Sequence, residues 1–185
     1  KNAFKNTAIT SFNFEVIAGR LVDGFTTETA NNLNDRGAIR EGAFEGTKLT
    51  EVVLPYSMKV TYIGTRAFAN CENLVTVTLG FGLEIVEERA FENCANLEYV
   101  FIPASVKTFD NAFFGCDKVA LDLDPDNLDF TMINGVMYNA AETAIIYVAK
   151  DASGEVNMPN TVKTVAQGAF KGVAGITAVK LSSAL

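Results

Sequence analysis

A chain of 185 residues that is 49% hydrophobic, 20% charged and of net charge −7 can build a core, and it suits neither nucleic acid nor an anionic membrane surface. It contains no histidine, which excludes His-dependent catalytic triads and removes the commonest metal ligand. Its three cysteines cannot close a complete disulfide framework, and no apolar run reaches the roughly 18 residues of a membrane-spanning helix.

In chain order, an Ala-Phe pair returns at Ala3-Phe4, Ala43-Phe44, Ala67-Phe68, Ala90-Phe91, Ala112-Phe113 and Ala169-Phe170. The intervals are 40, 24, 23, 22 and 57 residues, so three are regular and two carry insertions. Repetition at such a period predicts a stacked solenoid of about six coils, because one coil cannot bury its apolar side alone. The pattern has already begun at Lys1-Asn2-Ala3-Phe4, so no signal peptide is read here, and a mature chain that has lost one is expected.

In the first coil Ile9, Phe12 and Phe14 take the positions that Leu49, Val52 and Leu54 fill in the second. Residues 15–37 form the first insertion. Its part from Thr26 to Gly37 is polar and without apolar period, which predicts a long loop returning at Ile39. Coils two to four are regular, with the spacing L-x-x-V-x-L at Leu49/Val52/Leu54, Leu74/Val77/Leu79 and Leu97/Val100/Ile102. Alternation across the last half of each run predicts a short strand with one buried face, ended by Pro55, Gly80 and Pro103. A second extended piece precedes each Ala-Phe, at Val60–Ile63, Leu83–Val86 and Val106–Phe109.

Coil four has lost a residue across Val119–Pro125, which leaves the register of its strand open. A second insertion spans about 130–159. Within it Gly135–Tyr138 and Ala144–Val148 flank Asn139–Thr143, the pattern of a β-hairpin that protrudes from or extends the sheet. The array resumes at Val162 and reaches a last strand at Ile176–Leu181 with no polar cap after it. That end predicts a single domain over 1–185 belonging to a longer array, or a chain that pairs with a second copy there. The recurring Phe is expected to stack as a ladder, each buried ring contributing about 1.5–3 kcal/mol, with Ala letting the backbone pass closely.

The pattern I-G-x-x-A-F-x-x-C-x-x-L-x-x-V-x-L-P, carried by Ile63–Leu79 and Val86–Pro103, resembles the BspA-like class of bacterial leucine-rich repeats. The segments Asp124-Pro125-Asp126-Asn127, Ile133–Tyr138 and Ile145-Ile146-Tyr147 resemble an insertion often found between repeats of that family. The resemblance covers nearly the whole chain outside residues 15–37. It implies a right-handed, strand-rich α/β superhelix, the leucine-rich-repeat solenoid, with a parallel sheet on its concave face. It also implies a secreted or surface-exposed bacterial protein of the adhesin type, binding host, matrix or other cell-surface proteins, without catalytic residues or cofactors. No functional residue carries over, because the shared motif is structural.

Read for chemistry, Cys71, Cys94 and Cys116 share one position of three coils and are expected to be small buried residues. Neighbouring coils would set their Cα atoms about 4.8 Å apart, but parallel Cβ vectors disfavour a disulfide, and no metal site forms without converging ligands. Asp122, Asp124, Asp126 and Asp129 resemble the front of a calcium loop, yet the sixth and twelfth positions are Asn127 and Ile133 instead of Gly and Glu. Turn chemistry explains them more simply. Glu84, Glu87, Glu88 and Glu92 read as a solvated charged face, and Ser57, Ser182 and Ser183 lack a base. The contact candidates are the outward residues of the concave strands: Tyr99 and Phe101, with Thr76, Thr78, Glu51 and Val53 beside them. Whether Tyr99 and Phe101 are exposed, or lie under the hairpin of Gly135–Val148, is open at this level. A protein or glycan partner follows from the first alternative, and a passive spacer in a larger surface protein is the competing role.

Overall fold

The computed structural model describes residues 1–12, 37–54, 60–109 and 111–185. Each coil contributes one short strand to each of two parallel sheets. The first sheet is β2 (Glu51–Val53), β4 (Thr76–Thr78), β6 (Tyr99–Ile102) and β8 (Ala120–Leu123), in that order. The second is β1 (Gly37–Ile39), β3 (Val60–Ile63), β5 (Ile85–Val86) and β7 (Thr108–Phe109). Strand β1 begins at Gly37, which sequence pattern alone assigns to the first insertion; the rest of that insertion lies outside the described residues. Coil four keeps its register despite the missing residue, with Val100 opposite Leu121 and Ile102 opposite Leu123.

The expected β-solenoid with parallel sheets is what forms, but among the described residues it holds no helix. The turn around each Phe explains why. The residue two before it and the residue two after it both adopt positive φ: Arg66 and Asn70 around Phe68, Arg89 and Asn93 around Phe91. Two left-handed residues within five forbid a continuous α-helix. Asn and Gly supply most of these positions, and their order is coupled between coils. A Cβ on Gly46 would meet Asn6 Oδ1 at 2.2 Å, and one on Gly115 would meet Asn93 Oδ1 at 2.3 Å. A glycine here makes room for the asparagine of the coil before it.

Inside, the repeat slots form files. Phe4, Phe44, Phe68, Phe91 and Phe113 stack with ring centroids 5.1, 5.2, 5.1 and 5.0 Å apart. That spacing is close to the separation of paired strands, so one pitch serves the backbone and the rings together. The amides of Phe4, Phe44, Phe68 and Phe91 each donate to the Ala carbonyl of the next coil, as Phe44 does to Ala67 and Phe68 to Ala90. The leucine-type positions of coils two to four are all buried, whereas Ile9 and Phe12 of the first coil are half-buried and Phe14 lies outside the described residues.

The ladder stops at Phe113. The expected hairpin is present as β10 (Val136–Asn139) and β11 (Ala144–Val148), and two further strands exceed the sequence expectation. Strand β9 (Phe130–Ile133) pairs with β10 across Asn134-Gly135, both at positive φ, the two-residue turn that such a pair favours. Strand β12 (Ser153–Asn157) pairs in parallel with β14 (Gly175–Lys180), while β11 pairs in parallel with β13 (Thr164–Val165). Both faces of the meander are buried. Phe130, Met137 and Tyr147 join the core of the Phe ladder, whereas Val136, Tyr138, Ile145 and Val148 join a second core with Val162 and Ala169. The meander is thus a wall between two cores. Val148 donates its amide to Ala169 O at 3.1 Å, the bond that a ladder Phe makes elsewhere, so an aliphatic side chain occupies the slot. Phe170 consequently packs on the second core and not on the ladder.

Phe68→Ala removes a fully buried ring stacked on both sides and is expected to cost about 3–5 kcal/mol in chemical denaturation. Phe4→Ala, at a half-buried rung, should cost distinctly less.

Candidate functional site

Strand alternation sorts the first sheet into two faces. Val52, Val77, Val100 and Leu121 point into the core. The other face carries one row of Glu51, Thr76, Tyr99 and Ala120, and a second row of Val53, Thr78, Phe101 and Asp122, each residue opposite the next. All six contact residues named from sequence lie in these rows. Tyr99 is 49% exposed and Val53 41%, Glu51, Thr76 and Thr78 are exposed, and Phe101 is half-buried. The meander stacks on the end of the ladder core and leaves Tyr99 open.

Asp122 completes the group, and sequence reasoning considered it only as part of a calcium loop. The Tyr99 hydroxyl donates to Asp122 Oδ2 at 3.2 Å, and Leu123 N donates to Asp122 Oδ1 at 2.9 Å. Partial burial, then the charge and hydrogen bond of Asp122, raise the phenol pKa, so Tyr99 remains a donor at neutral pH. Tyr99 is opposite Ala120, so Asp122 lies on the diagonal, one coil on and two residues further along the same face.

The remaining acidic residues do not converge. Asp124 Oδ1 accepts Asp126 N at 3.0 Å in a local turn. Asn127 is the hub of that loop: its Nδ2 donates to Pro103 O and Val106 O, and its Oδ1 accepts from Asp129 N and Phe130 N. Among the described residues no three His, Cys, Asp or Glu side chains come together as metal ligands. Glu88 and Glu92 pair with Arg89, and Glu84 pairs with Lys107. Ser57 lies outside the described residues, and the Ser182 hydroxyl accepts Ala184 N.

The cysteine file is buried and its thiols are free. Cys71, Cys94 and Cys116 donate to the carbonyls of Phe44, Phe68 and Phe91, at 3.2, 3.2 and 3.0 Å. Thr7 and Thr47 hold the same slot in earlier coils, and Thr7 bonds the Phe4 carbonyl. The slot therefore asks for a small donor that ties down a buried carbonyl. Cys94, between the thiols of Cys116 and Cys71 and buried, is held well above the ordinary thiol range, which suits a donor and not a nucleophile.

A charged ladder runs along the outside of the same turns. Lys5 pairs with Glu45 at 2.8 Å, Arg66 bridges Glu45 at 2.7 Å and Glu92, and Arg89 reaches Glu92 while lying over the Phe114 ring. Its members sit at two fixed positions of the coil, directly after the Phe (Lys5, Glu45, Glu92) and two before it (Arg66, Arg89), and only the residue type changes from coil to coil, so the repeat motif does not record it. Where the Phe ladder ends, a cavity of about 50 Å³ opens between Phe113, Tyr147 and Ala169, rimmed by Lys150 and Lys171. Cavities that hold a benzene ring measure about 150 Å³, so this one is a packing gap on the scale of water.

With this geometry in place, comparison with known proteins is informative. The model of the BspA type leucine rich repeat region, six copies, matches residues 37–135. The chain belongs to that family. Its fold is similar to that of the pneumococcal vaccine antigen PcpA, with a TM-score of 0.68 and 25% identity over 80% of this chain and 43% of that one. It is also similar to a leucine-rich cell surface protein of Faecalibacterium prausnitzii (TM-score 0.57, 23% identity, 77% and 47% covered). A leucine-rich repeat protein of Eubacterium ventriosum gives a TM-score of 0.59 at 19% identity, with 79% and 46% covered. The chain thus spans less than half the length of each of these proteins. No curated protein sequence matches it. No helix among the described residues is long and apolar enough to cross a membrane.

Two outcomes follow for the scaffold beneath the site. Burial would raise the Glu45 pKa, but hydrogen bonds and charge from Arg66 and Lys5 outweigh it and hold the carboxyl below its usual value of 4.5. A depressed carboxylate stabilises the fold above its unfolded pKa and loses that contribution as pH falls through the folded one. Thermal melts of Glu45→Gln should therefore fall less steeply than wild type as pH drops below about 4.5. Asn127→Ala leaves two carbonyls and two amides without their partner and should cost about 2–4 kcal/mol in denaturant titrations, with no change in ring stacking.

Proposed function

We propose that this BspA-type leucine-rich repeat chain is a non-enzymatic binding module at the bacterial cell surface or outside it. It holds a protein partner against the outward face of β2, β4, β6 and β8. The observation that carries this reading is the two-row face itself. Eight side chains are held in register by paired strands, with a half-exposed Tyr99 and a partly exposed Phe101 at its centre. Exposed aromatics on a rigid sheet are ready anchors, because their contact area comes with little loss of conformational freedom. The repeat slots fix the inward residues and leave these outward positions free to differ between coils. Thr76 and Thr78 in one coil become Tyr99 and Phe101 in the next. The surface location is supported by the likeness to a pneumococcal vaccine antigen and to a leucine-rich cell surface protein.

The test is an array of purified extracellular-matrix and cell-surface proteins, probed with wild type and with the Tyr99→Ser, Phe101→Ser double variant. A specific partner whose affinity drops tenfold or more in the double variant is the expected result, with the melting temperature within about 4 °C of wild type. Binding that survives both substitutions moves the site off this face. A chain that captures nothing specific is a spacer.

A further inference from the structure

We propose that Tyr99, Phe101 and Asp122 form a guanidinium-binding site, so that the segment held by the first sheet carries an arginine. This rests on reading the outward face of β2, β4, β6 and β8 as the docking surface. Phe101 and Asp122 are directly paired across β6 and β8, and Tyr99 lies two residues before Phe101 on the same face. The carboxylate of Asp122 is held at both oxygens, by the Tyr99 hydroxyl and by Leu123 N. Each carboxylate oxygen accepts two bonds, so one position on each remains open. The result is a fixed acceptor with two free positions beside two aromatic rings. A guanidinium matches all of it, since its planar fork bonds a carboxylate through two parallel N–H groups while its face stacks on a ring. An ammonium is a strongly hydrated point charge that cannot stack and fits less well.

The charge of the face points the same way. Its eight outward residues are Glu51, Val53, Thr76, Thr78, Tyr99, Phe101, Ala120 and Asp122, with two acids and no lysine or arginine. Glu98, exposed next to Tyr99, adds a third carboxylate. On a chain of net charge −7 this face repels acidic segments and draws basic ones. The two rows run across the strands, which suits an extended segment lying along them with its arginine placed on Asp122.

Backbone amide NMR of the full chain provides the test, with a capped Thr-Ser-Arg-Ser-Thr peptide as probe and its citrulline and lysine counterparts as controls. The expected result is saturable shifts centred on Tyr99–Ile102 and Ala120–Leu123. Affinity should fall about tenfold when arginine becomes citrulline, which keeps shape and loses charge, and severalfold when it becomes lysine. Asp122→Asn, which keeps an acceptor for Tyr99, should weaken the arginine peptide to the citrulline level and flatten the salt dependence. Absence of saturable shifts up to about 10 mM, where weak single-contact binding still registers, overturns the proposal. So do shifts spread over every acidic surface, or equal binding of the citrulline peptide. A neutral oligosaccharide that shifts the same amides equally well in Asp122→Asn would assign the face to glycans instead. The docking surface is judged separately: array binding that falls with Tyr99→Ser, Phe101→Ser but not with Asp122→Asn keeps the surface and removes the arginine.

Discussion

Each coil of this chain is apolar on the sides that face its neighbours, so it is stable only while another coil sits one strand spacing away. That distance sets everything else. Paired strands are about 4.8 Å apart, and the Phe rings stack at 5.0–5.2 Å, so ring stacking and backbone pairing are satisfied by the same translation. The cysteine thiols and the asparagine–glycine contacts obey it too. A residue placed in one of these files meets its own counterpart above and below, which is why one motif can serve every coil. The stability of such an array is a sum of neighbour terms, and a rung in the middle contributes through two interfaces.

The same constraint explains where the array changes character. The meander of β9, β10 and β11 alternates its side chains between two cores, so it closes the Phe ladder on one side and opens a second core on the other. Val148 keeps the backbone bond of the ladder slot without its ring. The small gap beside Phe113 and Tyr147 opens where the file ends. The solenoid continues in hydrogen bonding while its aromatic file does not.

Period and slot chemistry were readable from the sequence because each repeats at a fixed interval. The solenoid, the two strand rows, the buried Leu and Val positions and the outward placement of six candidate residues all follow from them. The rest was unreadable for stated physical reasons. The absent helix follows from two left-handed residues around each Phe, and Arg66 and Arg89 hide that signal because neither is Gly or Asn. Strand β9 is short, and what marks it is the two-residue turn Asn134-Gly135 after it. Strand β12 has no signal of its own; Ser-Gly-Glu-Val-Asn becomes a strand only because β14 lies beside it. The Tyr99–Asp122 pair was obscured by the regular motif, which draws attention to slots that repeat, whereas this contact joins two positions that do not.

That distinction also bears on the proposed function. A substitution in a file position is tested against identical neighbours and is tolerated only if it fits the pitch, so those positions converge on Phe, Cys, Leu and Val. The outward positions have no such neighbours to match. Their backbone is fixed by strands they do not stabilise through burial, so a coil can present Thr-Thr or Tyr-Phe with the same fold beneath. The recognition proposed for this chain would then depend on register: strand pairing sets Phe101 beside Asp122, and the diagonal from Tyr99 lets its hydroxyl reach the carboxylate. A one-residue slip in β8 would turn Asp122 into the core and Leu121 out of it. Burial of Leu121 is what holds Asp122 on the surface, so the packing of the interior is itself the device that aims the site.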